Sequence, residues 1–116
     1  MTIIRITNLR VKTIIGIHPH ERKKKTKLIV NVTLDYDASK AATSDSINDA
    51  INYSTLNKSI ISLIEKSNYF LIERLASVIL ELIMKDKRVR QANVRVDKPK
   101  ILKHADSVSV EMSAKR

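Results

Sequence analysis

The chain has 116 residues, of which 43% are hydrophobic and only 3% aromatic, and its formal net charge is +10. This length and composition predict one domain, residues 1–116, with an aliphatic core. The absence of cysteine excludes disulfide bonds and thiolate metal sites, and no apolar run approaches the ~20 residues of a membrane span. Because the first residues also lack the apolar block of a signal peptide, we expect a cytoplasmic protein that does not associate with membranes.

The first part of the chain predicts two antiparallel strands. Residues 3–17 are rich in β-branched side chains and predict a strand with an irregularity near Asn8. Gly16, the single glycine, closes this strand, which indicates a close approach to a neighbour or a backbone conformation that other residues fit poorly. Residues 28–36 alternate between apolar and polar side chains and predict the second strand. The polar residues 38–52 then predict a turn-rich connection.

Two helices are predicted next. Ser54 is a suitable N-cap for a helix that ends near Lys66. Residues 67–86 predict a longer helix, whose start Ser67 or Asn68 could cap. Its apolar side chains form two adjoining rows, which together make a stripe wide enough to pack against a sheet. The rows are Leu71, Leu75, Val78 and Leu82, and Ile72, Ala76, Ile79 and Ile83.

The last part of the chain predicts two more strands. Residues 92–97 alternate and predict a third strand, which Pro99 ends because proline cannot donate to the ladder. Residues 107–112 predict the fourth strand. The resulting order, ββααββ, predicts an α+β fold in which two helices cover one face of a four-stranded antiparallel sheet. Since four strands leave both sheet edges open, self-association into a ring would remove this liability.

Three side chains could carry chemistry, and each has an ordinary structural alternative. Glu73 lies on a mostly apolar helix and could bind a ligand with paired N–H donors, or it could be a surface glutamate beside Arg74. Lys98 stands at a strand end and could act as an acid or base, or it could pair with Asp97 in solvent. The hydroxyl of Tyr53 could deliver a proton, although a tyrosine that packs at a helix start is the commoner case.

His18, His20 and Glu21 lie close together in the loop after the first strand. Two imidazoles that flank a proline lack the helical spacing of a zinc pair, and a third ligand is not evident. We therefore expect no metal at this loop. The sequence also has no glycine-rich loop that could bind a mononucleotide.

The positive charge leaves nucleic acid, anionic lipid and phosphorylated small molecules open as partners. Its densest part is the run Arg22-Lys23-Lys24-Lys25-Thr26-Lys27, which is either a solvated loop or a set of phosphate contacts. A basic nucleic-acid-binding module is the alternative of a different class. One Phe and three Tyr offer little surface for base stacking, and no nucleic-acid motif is present, so we do not favour it.

Several short motifs, taken together and in order, resemble the dihydroneopterin aldolase family, which includes the dihydroneopterin triphosphate 2′-epimerases. The resemblance covers nearly the whole chain. It implies a tunnelling fold (T-fold) in which four subunits close a β-barrel and two such rings form a homo-octamer, with active sites at subunit interfaces. The motifs are Leu9-Arg10-Val11, Ile15-Gly16-Ile17 before Glu21, Ser44-Asp45, Asn52-Tyr53-Ser54, Phe70 to Ala76, Asp97-Lys98-Pro99 and Ala105 to Val110.

The resemblance also implies a reaction of folate biosynthesis that needs neither a metal nor an organic cofactor. The C1′–C2′ bond of 7,8-dihydroneopterin is cleaved to give 6-hydroxymethyl-7,8-dihydropterin and glycolaldehyde. Re-addition of the aldehyde to the other face of the intermediate gives the C2′ epimer. Epimerisation of the triphosphate as the main activity is the alternative, because residues 3–10, 47–50 and 105–109 look closer to that branch. The candidate phosphate contacts are Arg22, Lys23, Lys24 and Lys25.

The family's site residues match particular positions of this chain. Lys98 matches the acid/base lysine, and Glu21 matches the glutamate that helps hold the side-chain hydroxyls and a water. Tyr53 matches a tyrosine that reaches in from the neighbouring subunit and helps protonate the intermediate. Glu73 matches the glutamate that anchors the amino and ring N–H groups of the pterin. The backbone that lines the pterin slot matches Leu71 and Ile72.

Overall fold

Four strands with alternating side chains form one antiparallel sheet in the computed structural model of the chain, which describes residues 1–116. The strands lie side by side in chain order, and the predicted α+β fold with two long helices between the strand pairs is confirmed. The strands are β1 (Thr2–Thr13), β2 (Thr26–Tyr36), β3 (Val89–Pro99) and β4 (Ser107–Lys115).

A short helix, α1 (Ser39–Ser44), precedes the two long helices, α2 (Tyr53–Lys66) and α3 (Ile72–Met84). The turn-rich connection predicted for residues 38–52 thus contains a helical turn, together with a 3₁₀ turn at Ile47–Asp49. The two alanines of α1 favour helix locally. None of the helices is both long and apolar enough to cross a membrane.

Both predicted helix caps are wrong. Asn52 rather than Ser54 caps α2, because its side-chain oxygen accepts a hydrogen bond of 3.1 Å from an amide of the first turn. Ser67 ends α2 instead of starting α3, since its hydroxyl donates to the carbonyl of Ile64 at 2.6 Å. Helix α3 begins only at Ile72, and no side chain caps it.

The hydrophobic core lies between α3, α2 and one face of the sheet. Alternate residues of β2 from Leu28 to Tyr36 are buried, and 21 buried apolar residues form one continuous cluster. All four residues of the predicted apolar row that starts at Ile72 are buried. In the row that starts at Leu71, only Leu75 is buried. Helix α3 is therefore the main apolar support of the sheet.

The predicted irregularity of the first strand is a bulge at Asn8. The register of β1 against β2 shifts between Ile6 and Leu9, and Asn8 has a positive φ of 54°. Its amide donates to Oδ1 of Asn31 at 2.8 Å, and the Asn31 amide group donates back at 3.2 Å. The extra residue keeps Ile6 and Leu9 on the same, helix-covered face of the sheet.

Strands β1 and β4 are the two edges of the sheet, and neither has a partner on its outer side within the chain. Unpaired strand edges present rows of free backbone donors and acceptors. Pairing of these edges between subunits, as in the predicted barrel, would satisfy these groups, and the barrel stays a prediction.

Replacing Ile79 by Ala tests the importance of α3 for the core. Because this side chain is fully buried, we expect the free energy of unfolding to fall by roughly 2–5 kcal/mol. Urea denaturation followed by circular dichroism measures the change. Glu81→Ala, at an exposed position of the same helix, is the control and should change stability by less than about 0.5 kcal/mol. Equal effects of the two substitutions would contradict this role of α3.

Candidate active site

Lys98 and Glu21 form a buried ion pair at one end of the sheet. The Lys98 Nζ donates a hydrogen bond of 2.6 Å to Oε2 of Glu21, and the two side chains are only 11% and 6% exposed. Lys98 continues the row of apolar residues in β3 that face the helices, so strand alternation directs it inward. The alternative pairing of Lys98 with Asp97 is wrong, because Asp97 lies on the other face and binds Arg95 at 2.9 Å.

The loop between β1 and β2 holds the Glu21 carboxylate in place. Glu21 lies in a 3₁₀ turn, Pro19–Arg22, and its Oε1 accepts a hydrogen bond of 3.1 Å from the amide of His18. The carboxylate therefore has one oxygen on Lys98 and the other on the backbone of its own loop. This arrangement fixes its orientation as well as its charge.

Gly16 provides the space that this carboxylate occupies. A Cβ atom at this position would lie 2.3 Å from the carboxyl carbon of Glu21, well inside contact distance. Gly16 also has a φ of +127°, a conformation that L side chains rarely adopt. Both reasons that the sequence offered for a lone glycine are thus confirmed.

The hydrogen bond from Lys98 holds the pKa of Glu21 below its ordinary value of 4.5. Burial acts in the opposite direction, because it disfavours the charged form, but the amide of His18 adds to the lowering. Glu21 is therefore a carboxylate at neutral pH, and it accepts the hydrogen bond from the Lys98 side chain.

The ion pair opens into a cavity of about 230 Å³. One wall is the loop that carries Glu21, and another is the segment that leads into α3. The sequence-predicted residues Glu21, Lys98, Leu71, Ile72 and Glu73 all line this cavity. The remaining lining residues are Gly16, Ile17, His18, Phe70, Ile101 and Val108.

The start of α3 offers donors and an acceptor side by side. The first amides of a helix have no partner within it, and no side chain caps this one at Leu71. Glu73 lies in the first turn, is exposed, and has no cation within 4.0 Å. The guanidinium of Arg74 lies over the ring of Tyr69 instead. This end of the cavity is suited to a planar ring whose edge carries an acceptor next to N–H donors.

Tyr53 lies outside this cavity. It is the first residue of α2, its side chain is 64% exposed, and it does not line the cavity with Glu21 and Lys98. One chain therefore brings together five of the six sequence-predicted residues for catalysis and pterin binding. The role of Tyr53 across a subunit interface stays a prediction.

The Arg22 guanidinium is engaged within the chain, and its role as a phosphate contact stays a prediction. Its guanidinium donates to the carbonyls of Gly16 at 3.2 Å, Tyr69 at 2.9 Å and Asn68 at 2.5 Å. It also lies over the ring of Phe70, 4.3 Å from the centroid. These contacts use three of the five N–H donors of the guanidinium. The other candidate contacts, Lys23, Lys24 and Lys25, are exposed and form no ion pair.

The imidazoles of His18 and His20 stack at 5.6 Å between ring centroids. No group of three or more His, Asp or Glu side chains is arranged to hold a metal ion. His18 lines the cavity, which the sequence did not predict, because its contribution is a backbone amide that depends on the fold of the loop.

The ββααββ order of the four-stranded antiparallel sheet and its two long helices, together with the similar solved structures, confirms the predicted tunnelling fold (T-fold). Residues 4–113 match the model of the dihydroneopterin aldolase (FolB) family. The chain belongs to this family, which acts in folate biosynthesis, and the protein is an enzyme.

Individual relatives and structures agree with this assignment. The dihydroneopterin triphosphate 2′-epimerase of Escherichia coli (strain K12) is 43% identical over 114 residues, which cover 98% of this chain and 95% of that protein. The protein of the same name from Pseudomonas aeruginosa is 40% identical over 116 residues, covering 100% and 94%. The structure of E. coli dihydroneopterin aldolase in complex with neopterin has a TM-score of 0.93 at 28% identity, covering 98% of this chain and 99% of that one.

Gly16→Ala should displace the Glu21 carboxylate, because the new methyl group would overlap it. We expect the free energy of unfolding to fall by about 1–3 kcal/mol and the pKa of Glu21 to rise towards 4.5 as the Lys98 bond is lost. NMR titration of the carboxyl carbon measures the pKa. Lys23→Ala, an exposed change in the same loop, should leave both quantities unchanged. An unaltered pKa in the glycine variant would show that the carboxylate is not confined by this position.

The stability difference between the wild type and Glu21→Gln should depend on pH. Because the pKa of Glu21 is lowered in the folded state, the contribution of its carboxylate is fully present above pH 4.5 and is lost as the pH falls through the lowered value. Urea unfolding at several pH values measures the difference, which should be constant near neutrality and shrink in acid. Glu81→Gln, at an exposed site, is the control. A difference that grows in acid would contradict the assigned direction.

Proposed function

We propose that this chain performs retro-aldol and aldol chemistry on the side chain of a 7,8-dihydroneopterin, with 2′-epimerisation of the triphosphate as its main activity. The observation that carries the proposal is the Glu21–Lys98 pair, which faces the start of α3 and Glu73 across one cavity. The relatives that are 43% and 40% identical are named as triphosphate epimerases, which favours the phosphorylated substrate. Cleavage of free dihydroneopterin is the alternative, supported by the likeness to the E. coli aldolase.

The start of α3 would bind the pterin ring. A pterin presents a carbonyl oxygen next to a ring N–H and an amino group. The Glu73 carboxylate can accept two parallel hydrogen bonds from the N–H groups, and the free amides at Leu71 and Ile72 can donate to the carbonyl oxygen. Neopterin, the ligand in the similar E. coli aldolase structure, carries this same edge.

If the pterin ring is held at Glu73, the side chain of the dihydroneopterin would extend towards the Glu21–Lys98 pair. The Lys98 amine, once it has released its own proton to solvent, would take the proton of the 2′-hydroxyl, and the electrons of the C1′–C2′ bond would flow into the ring imine. The aldehyde and an enol-like intermediate result. For epimerisation the aldehyde adds back to C1′ through its other face, and Lys98 returns the proton to the 2′-oxygen. Glu21 would hold the side-chain hydroxyls during both steps.

Protonation of the enol-like intermediate at carbon would divert it to the cleavage product. We assign this step to Tyr53 of a neighbouring subunit, as the family resemblance implies. Its exposed position at the start of α2 leaves the hydroxyl free to enter another chain's cavity. The ratio of epimer to cleavage product would then depend on how well the neighbour presents this hydroxyl.

The triphosphate would meet Lys23, Lys24 and Lys25. These residues follow Glu21 in the same loop, and their exposed, unpaired ammonium groups are free to make charge-assisted bonds to phosphate oxygens. Arg22 would contribute less than these lysines, because its guanidinium already donates to three carbonyls.

A product assay tests the proposed reaction. The protein is incubated separately with 7,8-dihydroneopterin and with its triphosphate, and the oxidised pterins are separated by chromatography with fluorescence detection. We expect mainly the 2′ epimer from the triphosphate and little 6-hydroxymethylpterin. Predominant cleavage of the free substrate would instead establish the aldolase alternative, and no turnover of either would refute the proposal.

Two variants assign the roles within this assay. Lys98→Ala should lower turnover by about 10²–10⁴-fold while pterin binding changes little. Glu73→Gln should weaken pterin binding by roughly 10–100-fold. The carboxylate offers two charged acceptor oxygens to the N–H groups of the pterin, whereas the glutamine amide would place its own NH2 donor against one of them. Glu81→Gln, on the same helix and exposed, is the matched control. Wild-type turnover in Lys98→Ala would exclude Lys98 as the acid/base.

A further inference from the structure

Arg22 connects the two walls of the cavity. Residues 16–22 form the wall that carries Glu21, and residues 68–73 form the wall that carries Glu73. The Arg22 guanidinium donates three hydrogen bonds, of which two join these two segments. Two go to the carbonyls of Asn68 and Tyr69, and the third goes back to the carbonyl of Gly16 within its own wall. Both walls thus contact one rigid planar group.

We infer that Arg22 is a positioning residue that sets the spacing between the Glu21–Lys98 pair and the start of α3. The inference rests on the proposed function, in which the substrate must reach from Glu73 to Lys98. Arg22 does not line the cavity, so it acts through the segments it joins.

The chemistry of arginine is required for this contact. A guanidinium has five N–H donors in one plane, so it can serve carbonyls that approach from different directions. A lysine ammonium keeps the charge but not the planar fork, and it cannot hold the three oxygens in the same arrangement.

The contact with Phe70 strengthens the connection. The guanidinium lies 4.3 Å from the centroid of this ring, in the geometry of a cation–π interaction. Phe70 lines the cavity two residues before the first turn of α3, although its ring is 61% exposed. Arg22 therefore fixes both the backbone before α3 and the side chain at the mouth of the cavity.

The spacing matters because the reacting bond lies between the two walls. A displacement of the reacting atoms by ~1 Å can lower a rate by about 10²-fold. A pterin that lacks the side chain of dihydroneopterin would contact the α3 wall alone. Its affinity would therefore not depend on the spacing between the two walls. Loss of Arg22 should therefore reduce turnover more than it reduces binding of the ring.

The test compares Arg22→Met, Arg22→Lys and the wild type. We expect kcat for dihydroneopterin triphosphate to fall about 10–100-fold in Arg22→Met. The dissociation constant of pterin itself, which lacks the side chain, should change less than about threefold, because the contacts at Glu73 remain. Arg22→Lys should recover little of the lost turnover. Arg90→Met removes an exposed arginine and should behave as wild type.

A second measurement does not depend on the substrate. Hydrogen exchange followed by mass spectrometry should show faster exchange in residues 16–21 and 68–73 of Arg22→Met, with the rest of the sheet unchanged.

Wild-type kcat in Arg22→Met, full recovery in Arg22→Lys, or unchanged exchange in both segments would overturn the inference. If Arg22→Met lost as much affinity for pterin as it lost in kcat, this result would overturn the inference as well. If the wild type turned over neither substrate, the proposed function would fail, while the exchange result would still decide whether Arg22 joins the walls.

Discussion

The site depends on one interaction, the buried ion pair between Glu21 and Lys98. Removing two charges from water costs free energy that their attraction need not recover, so such a pair is a poor source of stability. Its position instead constrains the surrounding sequence. Position 16 has to be glycine to leave room for the carboxylate, and the loop has to turn so that the His18 amide reaches the second oxygen. The lysine has to stand at a helix-facing position of β3, where strand alternation alone turns it away from solvent.

Helix α3 links this pair to the rest of the fold. Its inward row of apolar side chains anchors it to the sheet, and this packing determines where its first turn lies. The late start of the helix at Ile72, without a capping side chain, leaves free amides at the cavity wall instead of inside the core. Leu71, which directly precedes the helix, is half exposed and lines the cavity instead of packing in the core. One element thus provides both the stability of the sheet and the binding edge of the site.

The elements of the fold could be predicted from the sequence because they depend on local patterns. The alternation of β2, the double row of α3 and the irregularity at Asn8 are all visible within short windows. The caps were not predictable with the same certainty, since Asn52 and Ser54 are both good capping residues and Ser67 is used at the end of α2. The pairing of Glu21 with Lys98 joins residues 77 positions apart, and only the family resemblance indicated that they act together. The carbonyl contacts of Arg22 were not predicted, because a basic run does not reveal which of its members finds carbonyl partners.

Three features of the single chain have one common explanation. The outer edges of β1 and β4 lack partners, and Tyr53 lies on the surface and does not line the cavity of Glu21 and Lys98. In addition, large apolar side chains are exposed around the cavity mouth, at Ile17, Phe70 and Leu71, where a monomer would gain nothing from exposing them. Edge pairing between subunits would satisfy the first feature, and a neighbour placed over the cavity would cover the apolar rim and could bring its Tyr53 there. The ring that the family resemblance implies stays a prediction, and it is one that would account for all three features together.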